Sequence, residues 1–143
     1  TAQFTRGKGL FHAIDHAPPA EEPDGDYPFI LTTGRVLYHY HTGTMTMKTD
    51  GLNMLSPECF VEISSGDAQK LEVLDSSMVD VSSRRGKITA KIKISSMAVD
   101  GTIFIPFHFA NAAANELTNA KLDPTAKIPE LKVCAIKIEP AKA

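Results

Sequence analysis

MVDVSSRRGKITAKIKIS (residues 78–95) reads as two strands folded back on each other. Val79 and Val81 fall on one face of the first strand. Ile88, Ala90, Ile92 and Ile94 fall on one face of the second, with Lys87, Lys91 and Lys93 on the other. Alternation with a period of two is the mark of a strand with one face in a core. Arg84-Arg85-Gly86 supplies the turn, where Gly86 is available for a positive φ and the two arginines read as a solvated tip.

Working outward, the other apolar runs are equally short. Phe29–Thr33 (FILTT) lies between Pro28 and Gly34 and reads as a strand buried on both faces. Cys59–Ile63 (CFVEI), Thr102–Pro106 (TIFIP) and Leu131–Ile138 (LKVCAIKI) read the same way as strands, with Asp100-Gly101 as a turn before the second of these. Ser64 stands three residues before Asp67, the spacing of a capping box that opens a short helix. The alanine-rich stretch 108–119 (HFANAAANELTN) has room for one or two helical turns. The segment 34–55 (GRVLYHYHTGTMTMKTDGLNML) has no sustained period and reads as a long, functional loop. Six or seven short strands with two short helices leave too little helix to cover a parallel sheet, so the pattern favours a closed, mainly β barrel.

Composition narrows the function classes. At 143 residues the chain is one domain, with an arm over residues 1–26 where APPAEEPDGD (17–26) opposes helix and sheet, and a domain over 27–143. Fifteen basic against seventeen acidic side chains give a net charge of −2, without the basic excess of a nucleic-acid binder. No apolar run reaches the length of a membrane-spanning helix. Two cysteines cannot build a disulfide framework or a four-thiolate metal site, and both lie in apolar runs where thiols are inert. No GxSxG, P-loop or GxGxxG motif occurs, and no Gly-Ser pair at which a pyruvoyl-generating barrel enzyme would cleave itself. The chain begins with Thr1 and shows no signal-peptide pattern, which suggests a fragment of a longer, cytoplasmic protein, with a processed N-terminus as the alternative.

Three loops carry chemistry. The first holds Gly34, where backbone could approach a ligand, and Arg35, a fixed cation suited to phosphate. It also holds His39 and His41, which share a face only in an extended segment and have no third ligand for a metal. It reads either as a polar ligand cradle or as a surface loop with aromatic packing. The second loop offers His108, Asn115, Glu116 and Thr118, either for the edge of a heterocycle or as a capped helical turn. The third, DPTAKIPELK (123–132), places Lys127 and Lys132 around two prolines and reads on residue types alone as a solvated connector.

YPFILTTGRVLYHYHTGTMT (27–46), SSRRGKI (82–88), FHFANAAANELTN (107–119) and LDPTAKIPELKVCAIKIEP (122–140), in this order, resemble the C-terminal dinucleotide-binding domain of the molybdopterin oxidoreductases, nearest to formate dehydrogenase catalytic subunits. The resemblance covers residues 27 to 139 and implies a six-stranded double-psi β-barrel, the aspartate-decarboxylase-like barrel. It implies a molybdopterin guanine dinucleotide cofactor held by Gly34, Arg35, Val36, His39, His41 and Thr42, by His108 and Asn115, and by Leu131 and Lys132. Family members carry basic residues after TMT where this chain has Met47-Lys48, so one cation is expected to be missing there. The metal ligands and iron–sulfur cysteines of the family lie in other domains, so the expected partner is the rest of a parent catalytic subunit that oxidises formate. A parent acting on nitrate or an arsenic oxyanion, or a free-standing barrel subunit without catalytic residues, stand as alternatives.

Overall fold

The structure, a computed structural model, describes residues 4–141. Six strands close into a barrel: β1 (Phe29–Gly34), β2 (Phe60–Ile63), β3 (Met78–Ser82), β4 (Lys87–Ile94), β5 (Thr102–Pro106) and β6 (Cys134–Pro140), in the order β1-β5-β2-β4-β3-β6. Two pairs are parallel. β1 lies beside β5 with Leu31 opposite Ile103, and β2 beside β4 with Val61 opposite Ile92. The hairpin of β3 and β4 is antiparallel, as its alternation dictates, with Val81 opposite Ile88. β6 closes the ring, antiparallel to both β1 and β3. The mainly β closed barrel expected from the sequence is the one observed.

The inward positions are β-branched and leucine side chains. Leu31, Val61, Ile63, Val79, Val81, Ile103, Ile105 and Ile136 are sealed from solvent. Each buried side chain of this size contributes about 1.5–3 kcal/mol of hydrophobic stabilisation. Outward lysines pair with carboxylates: Lys93 with Glu62 and Lys87 with Asp80, each at 3.0 Å. Alternation also governs β1. Ile30 and Thr32 are half-exposed, so this strand buries one face rather than the two expected. Ile94, expected inward, is only half-buried at the end of β4.

Helix α2 (Ser65–Lys70) opens where the Ser64 spacing placed it, with the Ser64 hydroxyl accepting from the Asp67 N–H at 3.0 Å. The return arm of the capping box is diverted. The Asp67 carboxylate accepts from the Gly101 N–H at 2.6 Å and from Lys70 Nζ at 3.0 Å, which ties the helix to the turn before β5. The alanine-rich stretch forms two single 3₁₀ turns, Ala110–Ala112 and Ala114–Glu116. The long segment after β1 is not all loop. It contains a 3₁₀ turn, Thr46–Lys48, and helix α1 (Asp50–Leu55), which bury no residue fully and so give no apolar period to read.

Two features of the hairpin tip differ from expectation. Gly86 does not have a positive φ. It is needed because a Cβ there would stand 2.9 Å from the Glu116 carbonyl oxygen. The two arginines are not a solvated tip either. Residues 4–18 of the arm are exposed, but 20–27 return onto the barrel. Arg84 pairs with Glu21 and Asp24 and lies over the Tyr27 ring at 4.5 Å. Arg85 reaches Glu21 at 2.8 Å and donates to the Leu117 carbonyl at 3.0 Å.

Candidate functional site

Because β1 and β5 run parallel and β6 starts beside β1, the chain leaving β1, the chain leaving β5 and the chain entering β6 emerge at one end of the barrel. They enclose a cavity of about 640 Å³. Arg35, His41 and Thr42 line it from the first loop, Asn115 from the second, and Leu131 and Lys132 from the third, with Thr33 and Phe107 at the strand ends. β6 begins at Cys134 rather than at Leu131, which leaves Leu131 and Lys132 free to form a wall.

The walls are tied together by hydrogen bonds. Thr33 Oγ1 donates to the Leu131 carbonyl at 2.7 Å, and Lys132 Nζ donates to the Thr33 carbonyl. The third loop is itself braced, with the Asp123 carboxylate accepting from the Thr125 and Ala126 N–H groups. Behind the first loop sits His108, only 1% exposed. Its Nε2 accepts from the Val36 N–H at 2.9 Å, and its Nδ1 donates to the His41 carbonyl. His41 itself has φ 47°, a left-handed conformation that costs a non-glycine residue about 1–3 kcal/mol unless its surroundings hold it.

The electrostatics are one-sided. Arg35 and Lys132 face the cavity and no carboxylate lines it. Among the described residues Arg35 has no ion-pair partner, although the barrel's exterior lysines are paired. Burial holds the His108 imidazole below its ordinary pKa of 6.5, and the neighbouring His39 and Arg35 push the same way. Burial also pushes the thiols up, Cys59 to about 12 and Cys134 to about 11, so neither is a nucleophile at neutral pH. No metal-holding group of three His, Cys, Asp or Glu occurs among the described residues.

Residues 29–135 match the family described as "Molydopterin dinucleotide binding domain". The chain belongs to the molybdopterin dinucleotide-binding domain family. It is 51% identical over 133 residues to the F420-dependent formate dehydrogenase subunit alpha of Methanocaldococcus jannaschii, covering 93% of this chain and 20% of that protein. It is 49% identical over 133 residues to the F420-dependent formate dehydrogenase 1 subunit alpha of Methanococcus maripaludis, with the same coverage. A nitrate reductase of Symbiobacterium thermophilum is 40% identical over 139 residues, 94% of this chain and 18% of that protein. The chain thus spans about a fifth of the length of these curated relatives. Among solved structures, acetylene hydratase from Pelobacter acetylenicus superposes with a TM-score of 0.70 at 19% identity over 80% of this chain and 18% of that one, a likeness of fold.

The cofactor class of a molybdopterin dinucleotide-binding domain is an anionic diphosphate with heterocycles at its ends. The donor set fits it: two cations, an amide, an imidazole and two hydroxyls, that of Thr33 already given to the Leu131 carbonyl, without an acid to repel phosphate. Of the ten residues expected at the site, the fold brings six to the cavity: Arg35, His41, Thr42, Asn115, Leu131 and Lys132. The other four stand behind it. Gly34 is buried against Phe104, whose ring a Cβ would strike, so its small size serves packing on the outer side of the barrel. Val36 contributes its N–H to His108. His39 is 4% exposed, donates from Nε2 to the Ser56 carbonyl at 2.7 Å, and meets Thr46 Oγ1 at 3.1 Å through Nδ1. Both its nitrogens are engaged inside the first loop. Thr33 and Phe107, which sequence reasoning passed over, each lie at or just past the end of a strand, the position from which a barrel residue faces the rim.

Proposed function

We propose that this chain is the molybdopterin guanine dinucleotide-binding domain of a formate dehydrogenase-like molybdenum or tungsten oxidoreductase, and that the rim cavity forms one wall of the cofactor site. The observation that carries the reading is the pairing of Arg35 and Lys132 across a cavity without carboxylates. Arg35 and Lys132 would take the diphosphate, whose charge the guanidinium meets with fixed, forked donors. Asn115 and His41 would take heterocycle edges, Thr42 would add a hydroxyl, and Leu131 an apolar contact. The bound group supplies the redox chemistry at its metal. This chain's residues bind and orient it, and its own thiols stay out of the reaction.

Formate as the parent's substrate rests on the higher identity to formate dehydrogenase alpha subunits, 51% and 49%, than to the nitrate reductase, 40%. A nitrate-reducing parent is the second reading, favoured by that same 40% match across 94% of the chain. The partner would be the remainder of a catalytic subunit. The exposed arm side chains Leu10, Phe11 and Ile14 are suited to packing against it. No helix among the described residues is long and apolar enough to cross a membrane.

The test replaces Arg35 with Ala in the full protein that carries this chain and measures molybdenum or tungsten and guanine-nucleotide content after purification. Arg35→Ala is the clean variant, because Lys132 also braces the Thr33 carbonyl. Loss of a charge-assisted phosphate contact is worth about 1.5–3 kcal/mol, a retention lower by tenfold or more. Unchanged metal and nucleotide content in Arg35→Ala would sink the assignment of the cavity.

A further inference from the structure

The first loop leaves the barrel at Gly34 and must return its side chains to the cavity, yet its backbone between Val36 and His41 is not part of any strand or helix. Its middle is tied within the loop itself, by His39 to Ser56 and Thr46 and by the Tyr40 N–H to Thr46, but its two ends are held by one side chain from another loop, 67 to 72 residues away in sequence. We propose that His108 is a positioning residue of the dinucleotide site, a single imidazole that fastens both ends of the 36–41 segment and so sets where Arg35, His41 and Thr42 stand.

The chemistry of the two bonds is unambiguous. A backbone N–H can only donate, so His108 Nε2 must present a lone pair to Val36. A carbonyl can only accept, so Nδ1 must carry the proton that goes to His41. Only the neutral, Nδ1-protonated ring makes both. The imidazolium would set one N–H against another at Val36, and the opposite tautomer would lose both bonds. A donor and an acceptor at fixed separation on a rigid ring is something no other side chain offers in this geometry.

The surroundings favour that form. Phe107 and Phe109 flank the ring within its own segment, at 4.8 and 6.3 Å between centroids. From the first loop it is faced by His39 at 5.9 Å and by the charges of Arg35 and His41, all basic. Desolvation and these neighbours hold the ring neutral, and the one opposing influence is the bond to His41. The strained φ of 47° at His41 lies on the residue whose carbonyl His108 holds, so release of the bond lets that residue relax away from its place on the cavity wall.

This inference rests on the cavity being the dinucleotide site, and the experiment separates the two. In the full protein that carries this chain, amide hydrogen exchange is followed for the peptide spanning 34–42 across a pH series corrected for intrinsic exchange, alongside guanine-nucleotide retention. In the unmodified protein, protection at Val36 should hold above pH 6.5 and collapse as pH falls below it, with nucleotide retention falling over the same interval. His108→Ala should lack that protection at every pH and retain nucleotide at least tenfold less well. His108→Gln, which can still accept from Val36, should keep part of the protection and lose the acid sensitivity. Arg35→Ala should lower retention while Val36 stays protected at neutral pH, with the acid loss of that protection moved to higher pH because one of the cations facing His108 is gone. If exchange at Val36 is independent of pH in the unmodified protein, or the same in His108→Ala, the positioning role is overturned. If only Arg35→Ala is without effect on retention, the cavity reading fails while the latch stands.

Discussion

A Cβ on Gly34 would run into the ring of Phe104, which half-fills the outer side of β5 beside it. Gly34→Ala should therefore destabilise by about 1–3 kcal/mol, the usual cost of overpacking, and Gly34→Ala with Phe104→Leu should recover part of that loss in urea unfolding. Equal stability of the single variant and the parent would remove steric need as the reason for this glycine. The two cysteines give a second residue-scale outcome. With burial raising Cys59 to about 12 and Cys134 to about 11, both should resist iodoacetamide at pH 8 in the folded protein and react once it is unfolded. Legibility was uneven at this scale. Arg35 could be named from residue type, as a fixed cation suited to phosphate, whereas Lys132 came from the family resemblance, because its loop reads on residue types alone as a solvated connector. His39 and His108 could not be told apart. Each is a histidine in a polar loop. Only the fold shows that one has its nitrogens filled by Thr46 and Ser56 and the other by the backbone of Val36 and His41.

Among the elements, α2 is held by a side chain that faces away from its own cap. Asp67 is 1% exposed and bonds both Lys70 and the Gly101 N–H. Asp67→Ala leaves that half-buried N–H without its partner and should cost about 1–3 kcal/mol in urea unfolding. Ser64→Ala, which removes only the cap, should cost about 1 kcal/mol. The ordering matters: a larger loss for Ser64→Ala would mean the cap, and not the tie to the turn, sets this region. Strands β3 and β4 were legible because an antiparallel hairpin with one buried face writes its period directly into the chain. FILTT carries no charge, so its sequence reads as a strand buried on both faces. Its outer threonine, Thr32, is polar enough for a half-exposed face and apolar enough to hide the alternation. Helix α1 left no trace, because a helix of six residues without a buried face needs no apolar stripe.

For the whole molecule, the arm's return is an electrostatic contact at the surface. Glu21 and Asp24 meet Arg84 and Arg85, and Arg84 stays 39% exposed. Such pairs are worth about 0–1 kcal/mol and weaken with salt. Glu21→Ala, or 1 M salt, should speed proteolysis within residues 20–27 while leaving the barrel's unfolding midpoint nearly unchanged. A large drop in that midpoint would mean the arm is part of the barrel's stability. Nothing in the sequence pairs positions 63 residues apart, so this contact was legible only as two isolated charge clusters.

The barrel's strand order also decides how the molecule could be divided. A break in the exposed turn between β4 and β5 would leave Thr33, Arg35, His41 and Thr42 on one piece, and Phe107, Asn115, Leu131 and Lys132 on the other. β1 is the strand that both β5 and β6 must find. Neither half carries the cavity, and reassembly of two separately expressed halves recreates it at the seam. Ligand capture by the mixture, with none by either half, would then serve as a direct readout of complementation.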